Sequence, residues 1–238
     1  MPYRQLDPAR IINTAIVLER RIGERFPDAG IRKVCGELIN LARDTRTEAD
    51  RLAQPIWWLR GLVAMVIVAG ALMFVFIGSF ITFDRIDRVG LGIVEQVEAS
   101  INTLVLAGLG LFALVRLEER IKRRAAMKGL HGMRSLIHVI DMHQLTKDPI
   151  AFASDFRPTA SSPKRVLGRT DLKRYLDYCS EMLSLTGKVA ALYAQAVNDR
   201  DVLEAVNDIE NLSTNLSRKI WQKIMLIEPE ALRRRRAA

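Results

Sequence analysis

Three histidines, the only ones in the chain, fall within thirteen residues: His131, His138 and His143, with Asp141 among them. Imidazole and carboxylate groups are typical zinc ligands and acid–base groups. In a helix, His131 and His138 would stand about 10.5 Å apart along the axis, too far to share one ion. His138 and Asp141 are three residues apart and can converge. They are the candidate metal pair, and the competing interpretation is a hydrogen-bonded histidine at a helix interface.

The same segment offers a second interpretation. His131-Gly132-Met133-Arg134-Ser135-Leu136-Ile137 resembles the phosphoacceptor box of sensor histidine kinases, which follows a second transmembrane helix. Gly132 stands where that box has an acidic residue, and Leu136 stands where it has a proline. The resemblance implies a phosphotransfer role. A kinase is excluded, because the rest of the chain has the pattern of helices and no ATP-binding α/β domain follows.

Other chemical motifs are absent from the sequence. It contains no P-loop, glycine-rich dinucleotide turn, HExxH, CxxC or nucleophile elbow. Cys35 and Cys179 are predicted to be free thiols in a reducing compartment. We therefore predict no catalytic residue, no cofactor and no metal beyond the candidate pair His138 and Asp141.

Two apolar stretches interrupt an otherwise highly charged chain. Residues 61–83 contain no ionisable side chain, and as a helix they would span about 34 Å, enough for a hydrocarbon core of ~30 Å. Residues 99–115 are shorter and need their neighbours as extensions, which gives a second span over 97–116. The sequence predicts an all-α integral membrane protein with a two-helix transmembrane hairpin.

Charges beside these stretches predict the orientation. The loop between them, residues 84–98, holds two arginines and four acidic residues, whereas basic residues follow the second stretch closely. Lysine and arginine concentrate on the cytoplasmic side. Both termini are therefore predicted to be cytoplasmic, in a multi-pass protein of a bacterial inner membrane. A cleaved signal peptide is disfavoured, because the first apolar run begins sixty residues in.

Two groups of residues are expected to meet the membrane surface. Trp57 and Trp58, beside Arg60, have the composition of an interfacial aromatic belt. Juxtamembrane basic residues attract anionic phospholipid headgroups. Nucleic acid is the disfavoured partner, because aromatic residues are not interleaved with these charges. The predicted headgroup-binding residues are Arg116, Arg120, Lys122, Arg123, Arg124 and Lys128.

Helical periodicity organises the remaining sequence. Asp7 is expected to cap a first amphipathic helix, and a second runs from Gly30 to Ala53. Thr170 is expected to cap a helix with a heptad-like, coiled-coil seam, joined by a turn at 198–201 to another in an antiparallel hairpin. The second helix of this hairpin has a predicted apolar seam formed by Leu203, Val206, Ile209, Leu212, Leu216, Ile220, Ile224 and Ile227. The predicted segments are N-terminal cytosolic helices (1–60), transmembrane helices (61–83, 97–116), an outside loop (84–96), a histidine-bearing helix (117–151), a linker (152–169) and a hairpin with a basic tail (170–238).

These features favour a non-enzymatic, membrane-anchored scaffold, adaptor or regulator. It would act through its cytosolic helices, as a homo-oligomer or with a protein partner. Two alternatives stay open. One is an oligomeric channel or membrane-perturbing effector, and the other is a membrane enzyme or phosphotransfer protein using residues 131–143.

Overall fold

A computed structural model describes residues 5–80, 92–152, 156–163 and 167–237. The protein is all-α, and no strand occurs within those ranges. Its helices are α1 (Pro8–Arg25), α2 (Gly30–Ala53), α3 (Trp57–Phe80), α4 (Gly92–Leu145), α5 (Arg169–Ala196) and α6 (Arg200–Ala237), with a short 3-10 turn at Pro149–Phe152. The predicted outside loop falls mostly at 81–91, outside the described residues. The described chain divides into two compact units, residues 1–53 with 125–238, and residues 54–124.

The first unit, the helical unit, is built on an N-terminal helix pair. Asp7 caps α1 as predicted, since its carboxylate accepts a hydrogen bond of 2.9 Å from the Ala9 N–H. Pro27 follows α1 and cannot continue it. Helices α1 and α2 pack against each other and on α5. All positions that helical periodicity predicts for their core-facing stripes are buried: Ile11, Ala15, Leu18, Ile22 and Phe26 for α1, and Ile31, Val34, Leu38, Ala42, Thr45, Ala49 and Leu52 for α2. One hydrophobic core therefore includes residues from α1 and α2 as well as residues as far along the chain as Ile227.

Helices α5 and α6 complete this core and pack closely against each other. All eight predicted seam positions of α5 are buried: Leu172, Leu176, Cys179, Leu183, Thr186, Ala190, Tyr193 and Val197. Asp199 caps α6 by accepting hydrogen bonds from the N–H groups of Asp201 and Val202.

Two details of the predicted hairpin are wrong. Thr170 does not cap α5: the helix begins at Arg169, its cap residue is the extended Gly168, and no side chain makes a capping hydrogen bond. Leu203 is not a core residue, because its side chain is 41% exposed while Val202 is fully buried. In the first turn of α6 the adjacent residues point about 100° apart, so a small helix rotation exchanges which of them faces the core.

The second unit, the apolar unit, contains α3 and the first part of α4. In the part of the chain that the structure describes, two helices are long and apolar enough to cross a membrane. Helix α4 begins at Gly92, earlier than the predicted start of the second span at residue 97. Large apolar side chains on both helices are exposed, among them Leu72, Val75, Phe76, Leu104, Leu106 and Leu109.

Candidate membrane-proximal site

A charged cluster in the apolar unit centres on the carboxylate of Glu118 in α4. Arg60 of α3 donates from Nε at 3.1 Å, and Lys122, one turn further along α4, lies 3.0 Å away through Nζ. The backbone N–H of Ile56, just before α3, donates at 3.3 Å. A carboxylate at a helix N-terminus also interacts favourably with the helix dipole. Glu118 therefore ties the beginning of α3 to α4.

The electrostatics of Glu118 indicate a structural role rather than proton transfer. Burial alone raises the pKa of this carboxyl group, but the hydrogen bonds from Arg60, Lys122 and Ile56 outweigh burial and hold the pKa below its usual value. The group therefore stays ionised at neutral pH and has no tendency to act as an acid or base there. Next to these charged side chains, α3 and α4 form a groove of about 490 Å³. Its apolar walls are formed by Leu59, Val63, Ile67, Leu114 and Val115.

The predicted headgroup-binding residues occupy different environments. Arg120, Arg124 and Lys128 are exposed. Arg116 is also exposed but pairs with Glu119 at 2.8 Å and lies over the Phe112 ring. Lys122 is engaged by Glu118 and is only 17% exposed, and Arg123 is half-buried. Arg116, Arg120 and Arg124 are each four residues apart, so they form one row along the apolar unit's part of α4.

The predicted interfacial residues lie at the start of α3. Trp57 and Trp58 are 75% and 67% exposed, so neither indole packs into a protein core. Arg60, the third residue predicted to lie at the membrane interface, forms an ion pair with Glu118. Glu118 does not lie on a fully solvated face: its side chain is 15% exposed, because its partner Arg60 comes from another helix.

The histidine segment lies in the helical unit and brings no metal site together. His131 and His138 are exposed, and His143 lies near Tyr175, with Nδ1 3.4 Å from the phenol oxygen. The Asp141 carboxylate accepts a 2.6 Å hydrogen bond from Gln144. In the described part of the chain, no three histidine, cysteine or carboxylate side chains are grouped so that they could hold an ion.

A polar network that the sequence did not reveal surrounds the end of α4. Gln144 is buried, and its backbone carbonyl and side-chain oxygen accept hydrogen bonds from Lys223 of α6 at 3.1 and 2.6 Å. A cation here satisfies a terminal carbonyl and complements the helix dipole. Burial lowers the pKa of Lys223, although nearby acidic groups oppose this effect. The network closes the end of α4 and contains no exposed reactive group in the described residues.

Comparison with known proteins gives no relative: no family model, no curated protein and no solved structure matches this chain. Interpretation of the site therefore rests on its own geometry.

We expect the purified protein to carry neither metal nor phosphate at residues 131–143. Asp141 already bonds Gln144, and exposed His138 has no further ligand grouped with it among the described residues. Elemental analysis after incubation with zinc, together with intact-mass measurement, should give the unmodified apo protein. Stoichiometric zinc that is lost in His138→Ala but retained in His131→Ala would contradict this prediction.

Proposed function

We propose that this chain is a non-enzymatic, membrane-anchored scaffold or regulator. Helices α3 and α4 form the transmembrane hairpin that anchors it in a bacterial inner membrane. The helical unit then stands on the cytoplasmic side and acts through contacts with a second copy or another protein. The observation that carries the proposal is the exposed apolar surface of α3 and α4, bordered by a row of exposed arginines.

The cost of exposing that surface supports the membrane anchor. Burial of a leucine, valine or phenylalanine side chain contributes about 1.5–3 kcal/mol relative to exposure in water. Soluble monomers rarely expose contiguous apolar patches above a few hundred Å². In a bilayer the same side chains contact acyl chains, and the cost disappears. The helical unit needs no such environment, because its apolar stripes are already buried.

The Glu118 cluster supports a hairpin arrangement of the two spans. It joins the beginning of α3 to a point just beyond the predicted end of the second span. Both positions would then lie at the same membrane face. The exposed tryptophans and the row of Arg116, Arg120 and Arg124 would lie there too. Each such cation contributes about 1 kcal/mol of attraction to anionic lipid.

The chemistry of the described residues favours a scaffold over an enzyme. Several buried or half-buried polar groups serve helix ends and helix contacts: Glu118 at α3, Gln144 with Lys223 at α4, and Asp199 at α6. An acid–base catalyst would need titratable groups converging in an accessible cavity. His138 and Asp141, the candidates from the sequence, do not form such a group with a third ligand.

Thiol labelling of one introduced cysteine at a time in sealed cells tests the orientation. A cysteine at position 87, in the predicted outside loop, should react with an impermeant thiol reagent. A cysteine at position 161, which is exposed in the helical unit, should react only after the membrane is opened. If position 161 is labelled in intact cells and position 87 is not, the orientation is the reverse of the one proposed. If both are labelled in intact cells, the two helices do not form a transmembrane hairpin.

The native cysteines provide an internal control for this experiment. Cys35 and Cys179 are both fully buried, and burial raises the pKa of each thiol to about 12. Thiolate is the reactive form, so both should stay unlabelled in the folded protein even after permeabilisation. They should react once the protein is denatured, which gives the reference for complete labelling.

A further inference from the structure

The groove between α3 and α4 combines apolar walls with a charged rim, and both belong to the apolar unit. Its volume of about 490 Å³ is within the ~300–1,000 Å³ of small-molecule sites. The lining extends along α3 from Arg60 to Ile67, a distance of about 10.5 Å at the helical rise per residue. Ala64 lies between these two residues, and a larger side chain at its position would occupy the groove.

The apolar part of the groove fits a hydrocarbon chain. Leu59 is only 1% exposed, whereas Ile67 and Val115 are 49% and 54% exposed and form open walls. Their side chains offer no hydrogen-bonding group, so water against these walls would lack polar partners. An acyl chain of a surrounding bilayer would instead make van der Waals contacts with them. This inference rests on the proposed function, because a membrane anchor is what places the groove against lipid.

The charged rim of the groove holds two cations and two anions. Arg60 and Lys122 both pair with Glu118. Glu119 is the second carboxylate of the lining and pairs with Arg116. Two groups of the rim are accessible, since the side chains of Arg60 and Glu119 are 57% and 61% exposed. The guanidinium has five N–H donors and contacts Glu118 through Nε. The lining therefore has no net charge and offers an accessible donor and an accessible acceptor.

We propose that the groove binds one phospholipid whose headgroup is zwitterionic and carries a primary ammonium, namely phosphatidylethanolamine. The phosphate accepts hydrogen bonds from the Arg60 guanidinium, and the ammonium donates to the Glu119 carboxylate. One acyl chain lies between α3 and α4. The site differs in chemistry from the row of Arg116, Arg120 and Arg124, which attracts anionic lipid through charge alone.

Other phospholipids match the rim less well. The headgroup of phosphatidylglycerol is anionic and has no cation to place against Glu119. Phosphatidylcholine has the same net charge as phosphatidylethanolamine, but its trimethylammonium group has no N–H to donate to the carboxylate. The comparison of these three lipids therefore isolates the hydrogen bond to Glu119.

Native mass spectrometry of the full-length protein tests this selectivity. The delipidated protein in detergent should be titrated separately with dioleoyl phosphatidylethanolamine, dioleoyl phosphatidylcholine and dioleoyl phosphatidylglycerol. Detergent competes equally with all three, so the midpoints for the first bound lipid report the headgroup. We expect phosphatidylethanolamine to bind about tenfold more tightly than either of the others, as for one hydrogen bond to a charged group.

Glu119→Gln removes the charge of the acceptor and keeps the size of the side chain. The midpoints for phosphatidylethanolamine and phosphatidylcholine should then fall within about twofold of each other, because the charge-assisted hydrogen bond is lost. Arg120→Gln is the matched control at the next residue, which is exposed and outside the groove lining. It should leave the preference for phosphatidylethanolamine unchanged.

Ala64→Trp fills the groove and should abolish retention of the first lipid. Met65→Trp places the same indole at the neighbouring residue, which is 61% exposed and outside the lining, and should retain the lipid. Circular dichroism establishes that each variant is folded, and Glu119→Gln decides the matter if Ala64→Trp does not fold.

Three results would overturn the site: equal midpoints for phosphatidylethanolamine and phosphatidylcholine, a preference for phosphatidylglycerol, or equal lipid retention by Ala64→Trp and Met65→Trp. The cysteine labelling tests the anchor separately. A correctly labelled hairpin without headgroup selectivity rejects the site and leaves the anchor standing, whereas reversed or uniform labelling rejects the anchor whatever lipid the protein retains in detergent.

Discussion

Leu183→Asp is expected to unfold the helical unit. Leu183 is completely buried in the seam that α5 presents to the core. Aspartate there removes a full apolar side chain and places an unpaired charge in an apolar environment, which costs several kcal/mol. That loss is comparable to the ~5–15 kcal/mol that stabilises a typical domain. Circular dichroism during urea titration of the protein in nanodiscs should show loss of most of the helical signal of the helical unit at low urea.

Leu203→Asp is the matched control, since it introduces the same side chain at a leucine of the neighbouring helix. Leu203 is 41% exposed and lies in the first turn of α6. A carboxylate near a helix N-terminus is favourable, so its effect should stay within about 0.5 kcal/mol. If Leu203→Asp also unfolds the unit, Leu203 faces the core, as the sequence predicted. If Leu183→Asp leaves the unit folded, Leu183 does not face a core.

Gly129→Ala is expected to be the most destabilising of the small substitutions. A methyl group at Gly129 in α4 would overlap the hydroxyl and ring of Tyr193 in α5. Tyr193 is buried, and its hydroxyl donates a short hydrogen bond to Glu48 of α2. Because Tyr193 is only 1% exposed, making room for the methyl group either separates the helices or breaks this bond. The expected cost is about 2–4 kcal/mol in urea unfolding.

Gly187→Ala tests whether the destabilisation by Gly129→Ala comes from the close contact with Tyr193. The added methyl would have its nearest neighbour, the Glu210 side chain, at 3.8 Å, an ordinary contact. Alanine is the better helix former, so this variant should be stabilised by about 0.5–1 kcal/mol. In the Gly129→Ala background, Tyr193→Leu should restore part of the stability, giving a non-additive pair. Equal effects of the two glycine substitutions would show that Gly129 is not at a helix contact.

Burial of Tyr193, more than its bond to Glu48, raises the pKa of the phenol above its usual value. The phenol is therefore neutral at all pH values at which the protein would be studied, and it remains a hydrogen-bond donor to Glu48. Substitution experiments at Gly129 can accordingly be performed near neutral pH without a change in this pair.

The sequence determined the helices and most of their buried faces. Periodicity is a local property, so it placed α2 at Gly30–Ala53 and selected stripes on α1, α2 and α5 that are all buried. Capping is equally local, which is why Asp7 was identified correctly. Charge-free length alone sufficed to find the two helices able to cross a membrane. At the start of α6, where Val202 and Leu203 are both apolar, the sequence prediction placed Leu203 in the core, and this is wrong.

Only the tertiary structure decided which polar groups meet. Glu118 bonds Arg60 across 58 positions, and Gln144 bonds Lys223 across 79. Gly129 matters because Tyr193 of another helix occupies the space beside it. These contacts depend on the rotation and register of one helix against another, and many arrangements bury the same apolar stripes. Side-chain volumes throughout the core select one of them, and that selection cannot be found from the spacing of residues along a single helix.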